Sequence, residues 1–275
     1  APAPTAAFTG ETLTVTAPHV GIEQTIPVGG QWALVPSAGV RFYKHSQLDS
    51  MSAPHVGLEA RSSALALRVN ASRGVSYPGQ EVLVLSSLIP PLGSTWADLK
   101  PEVLDHVEVG ASIAPRPGTA LDVSLFSDGL KDRYIFAFPP AVAFPQFTNL
   151  GEYDIRGAEV SLQQTVGTWS VFGGLTFLDP SLASLPYAPK RAGVFGLTGG
   201  HGRFRLSLDA QAQSAMLVFG QERAGEAANT QRVEGFVASQ AAGLFDTAFE
   251  GIPRHDRLDG GKGIAFGLAR FNQCL

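Results

Sequence analysis

The sequence predicts an all-β chain. It reads as an antiparallel, up-and-down transmembrane β-barrel or partial barrel of about 10–12 strands, with short turns at one rim and long loops at the other. Three observations lead there. Apolar and polar residues alternate with a period of two, which gives each segment one oily and one wet face. The breaks between segments are themselves alternately short and long. The segments also have room for the roughly 9–11 tilted residues that cross a hydrocarbon layer, whereas strands of soluble proteins run to about 5–6.

Taken in order, the first tight break is Pro27 to Gln31, followed by a looser connection at Ser46 to Ser52 and a tight one at Arg61 to Ser63. The next strand sets Leu65, Leu67, Val69 and Ala71 against Arg68, Asn70 and Ser72. A long loop from Gly74 to Pro101 then leads to Val107, Val109, Ala111 and Ile113, alternating with His106, Glu108, Gly110 and Ser112. Ala114 to Gly118 is tight, and Arg133 to Asn149 is long. Val160 and Leu162 alternate with Glu159, Ser161 and Gln163 before the tight turn at Val166 to Thr168. Leu178 to Lys190 is loose, and Gly199 to Gly202 is tight. Phe204, Leu206, Leu208, Ala210 and Ala212 then face away from Arg205, Ser207, Asp209, Gln211 and Gln213, and the last long connection is Gly220 to Arg232. The tight breaks are rich in Gly, Pro and Ser, the residues of hairpin turns. In an up-and-down sheet every second connection lies at the same end, so one rim is trimmed and the other carries the loops. A soluble β-sandwich also alternates, but its turns show no such two-ended bias. Tyr43, Tyr77, Trp96, Tyr134, Tyr153 and Trp169 fall near the expected strand ends, where membrane interfaces favour rings with a polar handle.

Composition narrows the class. Of 275 residues only 16% are charged, 20 Lys and Arg against 24 Asp and Glu, for a net charge of −4. Average soluble proteins carry about 25% charged residues. The 31 Gly and 19 Pro argue against a helical bundle. A slightly acidic chain without a basic run lacks what displaces phosphate counterions, so no nucleic-acid partner is expected. The single cysteine, Cys274, excludes a disulfide framework and a cysteine-based zinc site. No run approaches a transmembrane helix, and Ala1-Pro2-Ala3-Pro4 has no signal-peptide character.

Several stretches resemble the C-terminal part of the β-barrel of TonB-dependent outer-membrane receptors. Leu99-Lys100-Pro101-Glu102, followed by a strand holding Glu108 and Gly110, resembles the family's L-K-P-E segment and E-x-G strand. Leu121 to Phe126 and Lys131-Asp132-Arg133-Tyr134-Ile135 resemble its strand ending in K-D-x-I/Y. Asn149-Leu150-Gly151-Glu152 and Arg156-Gly157-Ala158-Glu159-Val160 are similar to its N-x-G and R-G-x-E elements. Leu244-Phe245-Asp246-Thr247-Ala248-Phe249 is similar to N-L-F-D-x-x-Y, with Gly243 in place of the Asn, and Gly267 to Phe271 resembles a closing strand. The resemblance runs from Glu11 to Phe271. It implies a bacterial outer-membrane protein that takes up an iron–siderophore complex, cobalamin or a similar solute with energy from TonB. The family's barrel has about 22 strands, so the chain is expected to be a fragment or truncated relative. It reads as a single barrel segment over 1–275, with a flexible stretch at 1–10 and an overrun at 272–275. No plug domain or TonB box is recognisable, so contact with TonB is expected only through such a part. A small passive channel and a secreted soluble β-domain that binds carbohydrate or protein are the alternatives.

No catalytic residue, metal site or cofactor is expected, and the chain is not read as an enzyme. The hydrolase elbow, zincin, phosphate-loop and EF-hand patterns are missing. Gly199-Gly200-His201-Gly202 lies between strands and reads as a turn. His19, His45, His55, His106, His201 and His255 have no ligand spacing, and the Pro-His-Val-Gly context shared by His19 and His55 reads as similar packing in neighbouring strands. Arg254-His255-Asp256-Arg257-Leu258-Asp259-Gly260-Gly261 reads as a solvated loop, and Asn70-Ala71-Ser72 as part of a strand. The ligand is expected to meet the extracellular loops, of which Gly74 to Pro101 is the most apolar, with Val82-Leu83-Val84-Leu85, Leu88-Ile89-Pro90-Pro91 and Trp96. No individual ligand-binding residue is identified.

Overall fold

A computed structural model describes residues 12–80, 82–84, 95–137, 146–149, 151–183, 185, 187–217, 232–245, 266–267 and 273–274. The chain opens with three short strands, β1 (Val15–Thr16), β2 (His19–Glu23) and β3 (Ile26–Gly29). Long strands follow: β4 (Trp32–His45), β5 (Met51–Arg61), β6 (Leu65–Ser76), β7 (Glu102–Ile113) and β8 (Thr119–Lys131). Beyond them come β9 (Tyr134–Ala137), β10 (Gln146–Asn149), β11 (Tyr153–Val166), β12 (Trp169–Pro180), β13 (Arg191–His201) and β14 (Phe204–Gln213). The last elements are β15 (Met216–Leu217), β16 (Arg232–Val233), β17 (Phe236–Phe245), β18 (Phe266–Gly267) and β19 (Gln273–Cys274).

One fifteen-stranded sheet contains all but two hairpins. Its order is β4-β5-β6-β7-β8-β11-β12-β13-β14-β17, with β1, β2 and β3 along the outer edge of β4 and β18 and β19 along that of β17. Ten long strands thus stand between two interrupted edge strands, in keeping with the strand number expected from the sequence. Every pairing is antiparallel. Among the described residues no pairing joins the two edges, so the sheet is a partial barrel. The hairpins β9–β10 and β15–β16 stand apart, each set within a long connection.

The alternation of short and long breaks holds. Short turns join β3 to β4, β5 to β6, β7 to β8, β11 to β12 and β13 to β14, while the connections β6–β7, β8–β11, β12–β13 and β14–β17 leave from the opposite rim. Two of the tight hairpins turn on Gly167 (φ 60°) and Gly202 (φ 58°), each the first of two loop residues. That position requires positive φ in the turns that match strand twist. Proline explains the broken first strand. Pro36 has no N–H, and opposite it β2 stops at Glu23, paired with Ser37, while β3 restarts at Ile26, paired with Leu34. The Pro36 carbonyl still accepts from the Gln24 N–H at 3.2 Å, so its missing donor faces the same gap.

The sandwich alternative fails on the position of the apolar rows. Val69, Val109 and Leu125 are 44%, 47% and 55% exposed, whereas the side chains of Arg68, Glu108 and Asp128 on the opposite face are 22%, 22% and 19% exposed. The sheet curls with its polar face inward. Buried apolar residues are few among those described, and the cluster of Val82, Trp96 and Leu99 sits at the long-loop rim.

Candidate functional site

Register places the polar residues of successive strands in continuous rows across the concave wall. One row runs Ser37, Gly57, Asn70, Glu108, Phe126 and Gly157. The next runs Val35, Glu59, Arg68, Gly110, Ser124 and Glu159. Gln163, Gln211 and Asp209 continue this face on β11 and β14. The two Pro-His-Val-Gly segments obey the same rule: His55 and Gly57 face the interior on β5, and His19 and Gly21 face it on β2, Gly21 in the row of Gly39 and His55, while Val20 and Val56 point outward.

Arg68 is the hub of the wall. Its Nη1 and Nη2 donate to the two carboxylate oxygens of Asp122 at 2.8 and 2.9 Å, and its Nε donates to Glu108 at 2.7 Å. Nη1 also donates to the Ser112 hydroxyl at 3.0 Å, and that hydroxyl donates to Asp122. One guanidinium thereby ties β6, β7 and β8 together with the planar fork that suits arginine. The plane lies over Gly110, where an added Cβ would stand 2.6 Å from Cζ. The E-x-G pair therefore has two jobs, Glu108 to hold the guanidinium and Gly110 to make room for it. Gly157 in the R-G-x-E segment does likewise for the Phe126 ring, which occupies the space of its absent Cβ. His106 Nδ1 meets Asp128 at 2.6 Å, with Glu108 at 3.8 Å on the far side of the ring. Between Ala66, Ser112, Asp122, Ser161, Gln163 and Gly174 an open hollow of about 530 Å³ lies towards the short-turn rim.

The long-loop rim gathers the other motif residues. Leu99 is buried with Val82 and Trp96, and Leu83, Tyr134 and Phe147 pack against that group. The described part of the loop from Gly74 to Pro101 therefore packs on the β9–β10 hairpin. Asn149 lies beside Lys100: its Oδ1 accepts from the Lys100 N–H at 2.9 Å, and its Nδ2 donates to the Lys100 carbonyl at 3.0 Å. Nδ2 also donates to the Asp132 carbonyl at 2.5 Å, which is presented by a residue with φ of 56°. Arg133 donates to the hydroxyl of the buried Tyr153 at 3.1 Å. The L-K-P-E, K-D and N-x-G segments, far apart in sequence, meet here.

The aromatic residues divide differently from the sequence reading. Trp96 is buried in loop packing, Tyr153 is buried at the start of β11 with its hydroxyl bound by Arg133, and Tyr77 donates to the Asp49 carbonyl at 2.7 Å and stacks on His45. On the convex face the rings that bound the apolar band are Trp32, Trp169 and Phe204 at the short-turn rim, with Phe42 and Phe177 towards the loops. The sequence marks Phe204 only as part of an alternating strand and does not mark Trp32, Phe42 and Phe177, because only the register shows that these rings share a face and two levels. From Trp32 to Phe42 along β4 the band covers about 33 Å of strand at about 3.3 Å per residue, which the roughly 40° tilt of membrane barrels would bring to about 25 Å.

No group of three or more His, Cys, Asp or Glu residues suited to a metal occurs among the described residues. Asn70 stands in β6 on the concave face, and Gly199, Gly200 and His201 belong to β13. His255 and the segment 254–261, Leu85, Leu88 to Pro91, and Asp246 to Phe249 lie outside the described residues.

Residues 2–248 match the family model described as TonB dependent receptor-like, beta-barrel. Among solved structures the chain is similar to the ferric enterobactin receptor of Pseudomonas aeruginosa, with 14% identity and a TM-score of 0.62 over 85% of this chain and 38% of that one. It is similar to the siderophore receptor PirA of Acinetobacter baumannii, with 12% identity and a TM-score of 0.62 over 85% and 40% of the two chains. The copper transporter OprC gives 16% identity and a TM-score of 0.59 over 86% and 40%. No curated protein matches the chain. The chain thus spans about two-fifths of the length of these structures.

Proposed function

The chain belongs to the TonB-dependent receptor β-barrel family, and from that premise we propose that it forms part of the wall of a bacterial outer-membrane importer for a metal chelate. The family is one of receptors and transporters. In this reading the convex face meets outer-membrane lipid, the concave face lines the aqueous interior, and the long loops meet the solute outside. Iron–siderophore complexes lead the candidate solutes, with cobalamin and copper species next. The energy for release comes from TonB, engaged through a plug domain of the receptor.

The observation that carries this reading is the inverted distribution of polarity. A water-soluble fold hides its Leu, Val and Phe rows, and this one exposes them in a band of the height that hydrocarbon requires. The backbone supports it too, since a lipid-embedded strand must find its hydrogen bonds in neighbouring strands, and the eight strands from β5 to β8 and β11 to β14 each have a long neighbour on both sides. The family's siderophore-receptor fold and the polar interior favour import over a structural role.

The test is expression of the receptor containing this segment in a bacterium lacking its own siderophore receptors. Localisation to the outer-membrane fraction and TonB-dependent accumulation of iron supplied as ferric enterobactin support the proposal; cobalamin and cupric ion serve as the comparison solutes. Recovery in the aqueous fraction without detergent overturns the membrane reading. Discrete conductance in planar bilayers, unaffected by TonB, replaces active import with a passive channel.

A further inference from the structure

Two long connections that look independent in sequence share one set of contacts. The first, between β6 and β7, supplies Val82, Trp96, Leu99 and Lys100; the second, between β8 and β11, supplies Asp132, Tyr134, Phe147 and Asn149. The apolar contacts join them on one side. Val82 is fully buried and Trp96 and Leu99 nearly so, and the residues of the β9–β10 hairpin that pack on them are Tyr134 and Phe147. Phe136 and Phe147 meet edge to face at 5.0 Å within the hairpin itself.

The polar contacts join them on the other side. The Asn149 amide makes with Lys100 the reciprocal pair of bonds that a neighbouring backbone would make, and its third bond holds Asp132. The amide ties the positions of the two connections together, but its two bonds to Lys100 are exposed and water can replace them, so the buried Val82, Trp96 and Leu99 carry most of the coupling. Both sets of contacts stand at the long-loop ends of β7, β8 and β11.

We propose that the β6–β7 loop and the β9–β10 hairpin form one cooperative cap, keyed by Asn149 and cored by Val82, Trp96 and Leu99, so that displacing either loop displaces both. That the cap faces the incoming solute rests on the proposed function; its cooperativity does not. A solute that touched only one of the two segments would shift the position of the other, because the pair opens as a unit.

Hydrogen exchange of the receptor containing this segment, folded in detergent micelles, tests this without any transport assay. Asn149→Ala should speed exchange on the order of tenfold in both 95–101 and 132–137, since it removes hydrogen bonds to each. Trp96→Ala should do the same in 132–137 and 146–149, which lie across the interface from the change. Exchange in β12, β13 and β14 should stay as in the parent, which also shows that the wall has folded. If Asn149→Ala does not fold, Trp96→Ala alone decides the matter. Acceleration confined to the mutated loop in either protein overturns the proposal and leaves the import reading untouched. Loss of outer-membrane localisation does the reverse.

Discussion

Replacing Gly110 by alanine tests the concave wall through a change of sign. An alanine Cβ would stand 2.6 Å from Cζ of Arg68, and 2.8 and 2.9 Å from Nη2 and Nε. The flexible guanidinium must leave. Arg68 then loses its bonds to Asp122, Glu108 and Ser112. A hydrogen bond to a charged group contributes roughly 1.5–3 kcal/mol, but Arg68 is 22% and Asp122 41% exposed, so water replaces part of each. We expect Arg68→Ala to cost about 2–3 kcal/mol. Gly110→Ala should cost about 1–2 kcal/mol, because alanine restricts the unfolded chain and offsets about 0.5–1 kcal/mol of the loss. In the Arg68→Ala background the obstacle is gone, and Gly110→Ala should then stabilise by about 0.5 kcal/mol. Urea unfolding from lipid vesicles, followed by the fluorescence of the three tryptophans, measures all four corners of the cycle. Equal cost with and without Arg68 would refute the assignment of Gly110 as the guanidinium's seat.

Other changes probe the two faces and the rim. Val109→Arg, on the apolar face between Val69 and Leu125, should destabilise the membrane-inserted state by about 2–4 kcal/mol. Gln163→Arg on the concave face should stay within about 0.5 kcal/mol; similar losses for both in the same vesicle titration would refute the facing. Gly157→Ala should cost about 1–3 kcal/mol by forcing the Phe126 ring from its place, and an unchanged urea midpoint would show that the ring has room elsewhere. Tyr77 lies just past the end of β6, and burial, followed by the nearby Asp49 charge, holds its phenol above the ordinary 10.0. Above pH 10 the unfolded chain has released this proton and the folded one has not, so stability falls as pH rises towards the folded value. Tyr77→Phe should shrink that alkaline fall and cost about 1 kcal/mol at neutral pH through the lost bond to Asp49. Parent and variant with the same alkaline limb would rule out Tyr77 as its source.

Much of the architecture was legible in the sequence because side-chain direction in a strand has a period of two. Leu65, Leu67 and Val69 against Arg68 and Asn70 declare two faces before any neighbour is known, and the positions of tight breaks declare two rims. The aromatic residues were less legible. Proximity to a strand end does not say whether a ring meets lipid or a loop, and Trp96 went to a loop and Tyr153 to a buried place at the start of β11, while Trp32 and Phe204 took the band's edge.

Fold class, the alternation of turns and loops, and the family motifs can be read from residue order alone, since all three are local in the chain. Strand pairing and packing were needed to show which side of the wall is sheltered, why Glu108 is followed two residues later by Gly110, and that Lys100, Asp132 and Asn149 form one junction. Those facts depend on register between strands that lie tens of residues apart. A shift of one residue would turn every side chain to the opposite face, and nothing within a single strand reports where its neighbour stands.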